Sequence, residues 1–171
     1  MVSREQFREA LAGVCAPVTV VTTVADGRPF GATVSAIASL SLQPPLLTVA
    51  LDRRSRVLPV VLQTKRFGVN VLSADQEDIA TLFATRDADR FGGVEWDLEH
   101  GLPRLRGAGG YLVCGVAAEV AGGDHALLIG EVQHTAQTDA PPLIYARRLF
   151  GTHSKLQGIV SPASVGSSTV R

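Results

Sequence analysis

The residues best suited to chemistry lie in the segment from Gly31 to Arg56, which reads GATVSAIASLSLQPPLLTVALDRRSR. This segment ends in the basic cluster Asp52-Arg53-Arg54-Ser55-Arg56, which follows an apolar stretch and precedes a predicted helix. A helix start presents unpaired backbone N–H groups and a partial positive charge. Guanidinium groups and a serine hydroxyl beside such a helix start favour a phosphate ligand. For the cluster taken alone, an ordinary serine cap on a solvated loop is the alternative.

Hydroxyl side chains precede the basic cluster, and Thr33, Ser35, Ser39 and Ser41 alternate there with small apolar residues. Small side chains let a planar ring approach the backbone closely, and the hydroxyls can hydrogen-bond the edge of that ring. The alternative is a half-exposed edge strand with serine and threonine on its outer face. Together, the hydroxyl row and the basic cluster favour a ligand with a flat polar head and a phosphate tail.

The turn Gly122-Gly123-Asp124-His125 contains the one histidine in a plainly chemical context. In a pocket, this imidazole can stack on a substrate, hydrogen-bond to it or donate a proton; a surface histidine in a turn is the alternative. The remaining histidines, His100, His134 and His153, show no metal-ligand spacing, so we expect no zinc or non-haem iron site.

Composition and missing motifs exclude several classes of function. The 171 residues fit one domain, and 16 basic residues balance 16 acidic ones, so nothing favours a nucleic-acid partner. No apolar run reaches the ~20 residues of a membrane span, and the N-terminus does not resemble a signal peptide. There is no Gly-x-Ser-x-Gly motif, and neither cysteine has a nearby base, so a hydrolase lacks its nucleophile. We expect a cytoplasmic protein with Cys15 and Cys114 as buried free thiols.

Secondary-structure signals place the candidate residues mainly on hairpins. Ser3 and Gln6 form a capping box ahead of a helix that Pro17 ends. The apolar face of this helix consists of Phe7, Ala10, Leu11 and Val14. Asp26-Gly27 is a turn signal between two strands. Strands are predicted at 18–24, 30–34, 46–51, 67–72, 111–120 and 126–132, with a last short element at 143–150.

Two further helices are predicted between the strands. Ser55 caps the first, which tolerates Pro59 because the proline falls in the first turn. Ser73 and Gln76 form a second capping box, ahead of an apolar stripe at Ile79, Leu82 and Phe83. The polar, glycine-rich segment from 86 to 110 predicts a long loop anchored by Trp96.

Hairpin spacing with few helices predicts a mainly β protein, an antiparallel barrel with peripheral helices. A doubly wound fold is disfavoured because no Gly-x-Gly-x-x-Gly follows a strand and opens a helix.

These pieces together resemble the short-chain flavin reductase family, the reductase components of two-component flavin-dependent monooxygenases. The matching stretches include FREALAGVCAPVTVVTT, GATVSAIASLSLQPPLLTVAL, FGVNVLSADQEDIATLFA, GGDHALLIGEV and PLIYARRLF, and the likeness covers about 150 residues in the family's order. The resemblance implies a split β-barrel domain over 1–155 and a homodimer, while the Ser-, Gly- and Val-rich composition without periodicity predicts a flexible tail over 156–171. It also implies FMN or FAD as the flavin, NADH or NADPH as the hydride donor, and a separate oxygenase that receives the reduced flavin.

The resemblance also assigns roles to individual residues. The isoalloxazine ring would be lined by Thr33, Val34, Ser35 and Ala36, with Ser39 nearby, and flanked by Ala50, Leu51 and Asp52. The phosphates would be held by Arg53, Ser55 and Arg56, and the later helix and loop would approach the flavin through Phe83, Ala84, Arg90 and Phe91. Catalytic His125 would lie by the nicotinamide, near Tyr145, Arg148 and Phe150. The family often has tyrosine where this chain has Phe150, which removes a hydroxyl there.

The implied chemistry suits the residues present, because hydride transfer between two rings needs orientation and electrostatics rather than a protein nucleophile. Two alternatives stay open. One is a non-catalytic FMN-binding redox or carrier protein on the same barrel; the other is an oxidase of the pyridoxamine-phosphate type, which would need further basic residues. The sequence leaves open FMN against FAD and NADH against NADPH, since a 2′-phosphate needs one arginine and the candidates are Arg86, Arg90, Arg147 and Arg148.

Overall fold

The computed structural model describes residues 1–85 and 89–156. Arg86 and the tail predicted beyond 156 lie outside the described residues. The helices are α1 (Arg4–Ala12), α2 (Val57–Thr64) and α3 (Glu77–Ala84), with a short 3₁₀ helix at Ser154–Leu156. The strands are β1 (Ala16–Pro17), β2 (Thr19–Ala25), β3 (Arg28–Val34), β4 (Ile37–Leu42), β5 (Pro45–Asp52), β6 (Arg66–Val71), β7 (Trp96–Glu99), β8 (Leu102–Leu105), β9 (Gly110–Gly122), β10 (His125–Gln137), β11 (Ile144–Ala146) and β12 (Leu149–Gly151).

The main sheet has seven strands in the order β3-β2-β6-β9-β10-β5-β4, and every neighbouring pair is antiparallel. A small sheet has the order β1-β11-β12, and β7 pairs with β8 alone. The mainly β prediction, a split barrel with peripheral helices, is confirmed. One buried cluster packs under α2 and includes Val49, Val61 and Phe67, and a second, against α3, includes Phe83 and Leu143.

The predicted hairpins are confirmed. Asp26 and Gly27 have φ of 51° and 72°, the left-handed conformation that tight two-residue hairpin turns require. The β9–β10 hairpin is longer than predicted, with 13 residues in each strand. Its outer ends leave the core, so the exposed residues there carry little hydrophobic alternation, and the pattern understates the length of the strands.

Both predicted helix starts at serine differ from the structure in detail. α2 begins one residue later than Ser55 implies, and the Ser55 hydroxyl accepts a hydrogen bond from the Val57 N–H at 3.2 Å. Ser73 does not cap α3, which begins at Glu77. The Ser73 hydroxyl instead lies 2.7 Å from the Gly107 carbonyl and 2.8 Å from an Asp75 carboxylate oxygen, while the Ser73 N–H donates to Gln76 Oε1 at 3.1 Å.

The long loop predicted over 86–110 is wrong in part. β7 and β8 form a hairpin whose turn residues His100 and Gly101 have φ of 51° and 78°. Each strand has only four residues, and Pro103 and charged side chains interrupt the alternation that a strand would show. The edge strand β4 was also not predicted as a strand of its own. Trp96 does anchor the segment, with its ring 5.6 Å from that of Phe91.

The N-terminal helix and its capping box are confirmed. The predicted apolar face does not pack on the described chain, however, since Phe7 and Leu11 on α1, and Val14 just beyond its end, are all at least half exposed. Cys114 is buried as predicted, whereas the prediction for Cys15 is wrong: it is exposed, in the segment between α1 and β1. Within the described residues, no helix has the length and apolar character needed to cross a membrane.

Candidate functional site

A cleft made of three adjoining cavities runs beside the ends of β3 and β5, and Thr33 lines all three. Their volumes are about 200, 410 and 620 Å³. Clefts of a few hundred cubic ångströms are typical of sites for organic cofactors. The cleft is therefore large enough for more than one ring system.

The 200 Å³ cavity is where the register of the sheet brings distant residues together. β10 pairs with β5 so that His125 lies opposite Asp52. The Ala36 carbonyl accepts a hydrogen bond from the Ala50 N–H at 2.9 Å, which joins the exit of β3 to β5. The side chains here are small, so the backbone is open to a flat ligand. The lining residues are Ala32, Thr33, Val34, Ser35, Ala36, Ala50, Leu51, Asp52, Ser55 and His125.

Only some of the predicted hydroxyl side chains line the cleft in the structure. Thr33 donates to the Ala80 carbonyl of α3 at 2.6 Å, so its proton is used and only its oxygen can serve a ligand. Ser35 is exposed in the cleft. Ser39 lies on the edge strand β4 and pairs with Leu47, outside the three cavities. The hydroxyl edge of the cleft is therefore shorter than predicted.

The 410 Å³ cavity is the basic end of the cleft, lined by Arg54, Ser55, Arg56 and Arg90. Arg54 bonds to Asp52, with Nη2 2.8 Å from the nearer carboxylate oxygen. This hydrogen bond and charge hold the pKa of the Asp52 carboxyl well below its usual range. Arg90 lies in the segment between α3 and β7 and donates to the Gly31 carbonyl at 2.6 Å, which holds that segment against β3. The arrangement offers guanidinium groups and a hydroxyl at the start of α2.

Arg53 was predicted to line the site, but in the structure the adjacent Arg54 lines it instead. Arg53 does not line the three cavities: its Nε donates to the Gly123 carbonyl at 3.4 Å, and its backbone N–H donates to Asp124. Arg54, which was not assigned to the site, does line the cleft. Which of the two adjacent arginines lines the cleft depends on the backbone after β5, and the sequence contains no signal for it.

His125 is held by its neighbour. Its Nδ1 lies 2.8 Å from an Asp124 carboxylate oxygen, and this bond lowers the pKa of Asp124. Because an ionised carboxylate only accepts hydrogen bonds, Nδ1 carries the proton and Nε2 stays available to a ligand. The imidazole is 42% exposed, as a group that meets a diffusing substrate needs to be.

The 620 Å³ cavity has an aromatic wall. The rings of Tyr145 and Phe150 lie 4.9 Å apart on β11 and β12, and Arg148 forms an ion pair with Glu9 of α1. The opposite wall is one face of α3. Its residues Glu77, Ala80, Thr81 and Ala84 follow helical spacing, so the sequence held a signal for this face, although only Ala84 was predicted there.

Phe83 and Phe91 pack against each other behind the cleft. Phe83 lines the basic end but is only 1% exposed, and its ring meets Phe91 edge to face at 5.0 Å. Phe91 lines a small separate cavity beside Arg28 and Arg56. The pair supports the wall of the cleft from behind.

Residues 11–154 match the sequence model of the family described as flavin reductase like domain. The chain is 36% identical over 149 residues to the reductase component of 4-nitrophenol 4-monooxygenase/4-nitrocatechol 2-monooxygenase from Rhodococcus opacus, covering 86% of this chain and 80% of that protein. It is 35% identical to FMN reductase (NADH) SmoA from Agrobacterium fabrum, with 87% and 86% of the two chains covered.

A solved structure shares the fold. The NADH:FAD oxidoreductase SgcE6 from Streptomyces globisporus, solved in complex with NAD and FAD fragments, superposes with a TM-score of 0.85. The two sequences are 30% identical, and the superposition covers 89% of this chain and 93% of that one. The fold and the sequence thus point to one family.

Proposed function

The chain belongs to the flavin reductase-like domain family and is a flavin reductase that uses NADH or NADPH, and we propose that it passes reduced FMN or FAD to a separate monooxygenase. One observation carries the proposal: the cleft joins a small-residue pocket, a basic end and an aromatic-walled cavity at Thr33. These three parts fit a flavin ring, its phosphate and a nicotinamide.

The flavin fits the first two parts of the cleft. In our proposal, Thr33, Ser35 and Ala36 face one edge of the ring, and Ala50 to Asp52 lie along its side. Small side chains here leave backbone N–H and C=O groups as the partners of a planar heterocycle. Ser55 and Arg56, with Arg54, hold the phosphate where α2 begins. Bound flavin supplies the capacity to accept a hydride.

We propose that the nicotinamide lies between His125, which lines the 200 Å³ cavity, and the aromatic pair that lines the 620 Å³ cavity. We propose that Nε2 of His125 hydrogen-bonds the nicotinamide, while Tyr145 and Phe150 exclude water and orient the cofactor. Arg148 lies beside them and gives a positive charge for its phosphates. The chain thus positions two rings and supplies no nucleophile, as this reaction requires.

A homodimer is part of the proposal. It is supported by exposed apolar side chains in two separate places: Phe7 and Leu11 on α1 with Val14 just beyond its end, and Leu40 and Leu42 on β4. Large exposed apolar surfaces of this kind mark contact sites. We also propose a cytoplasmic location, because NADH is made there and the two cysteines are free thiols. Residues 1–155 are proposed as the catalytic domain.

The reaction is tested by mixing purified protein with FMN, FAD or riboflavin and following the loss of NADH, then of NADPH, by absorbance. Turnover that depends on added flavin supports the proposal, and the preferred pair identifies both substrates. Tight flavin binding without turnover would favour the non-catalytic carrier. Absence of flavin binding would refute the flavin site.

The assigned role of His125 has its own test. His125→Ala should raise the KM for the nicotinamide cofactor about two- to tenfold, the worth of one hydrogen bond, and leave the flavin Kd unchanged. His153→Ala is the matched control, since that exposed histidine lies outside the cleft. Equal KM values for the two variants would remove His125 from the site.

A further inference from the structure

Two histidines and a glutamate meet on the outer side of the barrel, where the tip of the β7–β8 hairpin lies against β10. One possible ligand atom from each of Glu99, His100 and His134 lies within 4.8 Å of the others. The imidazole rings of the two histidines are 4.0 Å apart between centroids, and His134 Nε2 is 3.5 Å from a carboxylate oxygen of Glu99. Sequence spacing gives no sign of the group, because 33 positions separate the two histidines.

The cluster is separate from the flavin cleft. His134 and His125 both lie on β10, nine positions apart, which corresponds to about 30 Å along a strand. None of the three residues lines the cleft cavities. The reductase chemistry therefore leaves these side chains without a role.

The carboxylate of Glu99 is divided between two partners. One oxygen accepts from Arg104 Nη1 at 2.7 Å, and the other oxygen faces His134. Arg104 thus fixes the carboxylate as a one-oxygen donor that points at the imidazoles. This is the way in which outer partners orient ligand side chains in metal sites.

The backbone also presents the histidines. His100 occupies a left-handed turn position, and its carbonyl accepts from Arg66 Nη2 at 3.0 Å, which fixes the hairpin tip against β6. A register shift between Val132 and His134 interrupts the β9–β10 ladder. Bulges of this kind redirect the neighbouring side chain. The three donors come from two rigid elements, so little ordering is needed to bring them together.

We propose that Glu99, His100 and His134 bind one divalent transition-metal ion, with Zn²⁺ as the reference ion and water completing the coordination. Two imidazole nitrogens and one carboxylate oxygen are a donor set that Zn²⁺, Co²⁺, Ni²⁺ and Cu²⁺ accept, whereas Mg²⁺ prefers oxygen alone. Metal–ligand bonds of about 2.0–2.2 Å in a tetrahedral site place the donor atoms about 3.3–3.6 Å apart, which includes the 3.5 Å between His134 Nε2 and Glu99. The exposed His100 ring closes the remaining gap by rotation. The bound ion would fasten the β7–β8 hairpin to β10.

The test uses the full chain without an affinity tag, dialysed to equilibrium against Zn²⁺ and, separately, Mg²⁺. One Zn²⁺ per chain and no retained Mg²⁺ are expected. His134→Ala should weaken Zn²⁺ binding more than about tenfold, since even the loss of an outer partner costs about 10–100-fold. His153→Ala is the matched control and should bind as the unaltered chain does. Equal binding by both variants, or less than one Zn²⁺ per chain at saturation, would overturn the proposal.

Thermal unfolding gives a second, independent measurement. At a free Zn²⁺ concentration about a hundredfold above Kd, the thermal unfolding midpoint of the unaltered chain should rise by about 5–10 °C. The midpoint of His134→Ala should not rise. Without metal the two midpoints should agree, which shows that the variant folds; if His134→Ala fails to fold, His134→Gln replaces it. A rise of equal size in the variant would refute the site. Flavin reduction is not a readout here, so the result stands apart from the proposed reductase reaction.

Discussion

Gly31 of β3 is the position at which one added methyl group should disturb both the core and the cleft. A Cβ there would lie 2.6 Å from Cε1 and 2.9 Å from Cδ1 of Phe83, and 3.1 Å from Cζ of Phe91. Ordinary contact begins at 3.4 Å, so the Phe83 ring would have to retreat by about 0.8 Å. The ring is buried and meets Phe91 edge to face, so it cannot retreat without disturbing that packing or the basic end of the cleft, which it lines.

Overpacking of this kind costs about 1–3 kcal/mol. Gly31→Ala also gains about 0.4–1 kcal/mol, because alanine restricts the unfolded chain more than glycine does. The control Gly93→Ala should show that gain alone, since a Cβ at that position meets nothing within 4 Å. The difference in unfolding free energy between the two variants therefore isolates the clash, at about 1–3 kcal/mol.

The assay is urea unfolding of both variants, with thermal midpoints as a check at about 2–4 °C per kcal/mol. Phe83 also lines the basic end of the cleft, so Gly31→Ala should weaken flavin binding while Gly93→Ala should not. If Gly31→Ala unfolds at the same urea concentration as Gly93→Ala, the packing assigned to Phe83 is wrong.

Two further predictions concern ionisation. The pKa of Asp52 is lowered from its ordinary 3.8 by Arg54, so the pair stabilises the fold above about pH 4 and loses that contribution as the pH falls through the folded-state value. Asp52→Asn should then be less stable than the parent near pH 7, with a gap that narrows in urea titrations below about pH 4; a gap independent of pH would contradict this. Burial raises the pKa of the Cys114 thiol to about 12, so a Cys15→Ser chain should resist alkylation when folded and take up one label when unfolded. Labelling of that chain in the folded state, counted by mass, would contradict the assigned burial.

Turn chemistry explains which hairpins were predictable. Asp26-Gly27 directly follows the long β-branched run of β2, so the local signals for strand and turn agree there. His100-Gly101 adopts the same left-handed geometry, but its flanking strands are short and contain Pro103. Pairing with a neighbour across the sheet, rather than local preference, holds those residues in strands, and such pairing is invisible in the sequence.

The candidate site also contains some features that the sequence indicates and others that only the fold brings together. The residue types of 52–56 favour a phosphate site at a helix start, but taken alone they also fit an ordinary serine cap on a solvated loop. The meeting of Asp52 with His125 depends on the register of β5 against β10, which spacing over 73 positions does not reveal. Resemblance to a family, not periodicity, indicated that these two segments share a site. Neither periodicity nor the family resemblance indicates that Arg54 rather than Arg53 lines the cleft, because this depends on the local backbone after β5.

Two of the surfaces that line the cleft belong to different sheets, and this has a consequence for exchange of amide hydrogens. The wall at Asp52 and His125 lies on β5 and β10, inside the seven-stranded sheet, where β10 is paired on both sides. The wall at Tyr145 and Phe150 lies on three-residue strands whose small sheet ends in the two-residue β1. Opening the small sheet breaks few bonds, so its amides should exchange with solvent water long before those of β10. A protein that must admit one nucleotide and release another on every cycle thus has one fixed wall and one that opens at little cost.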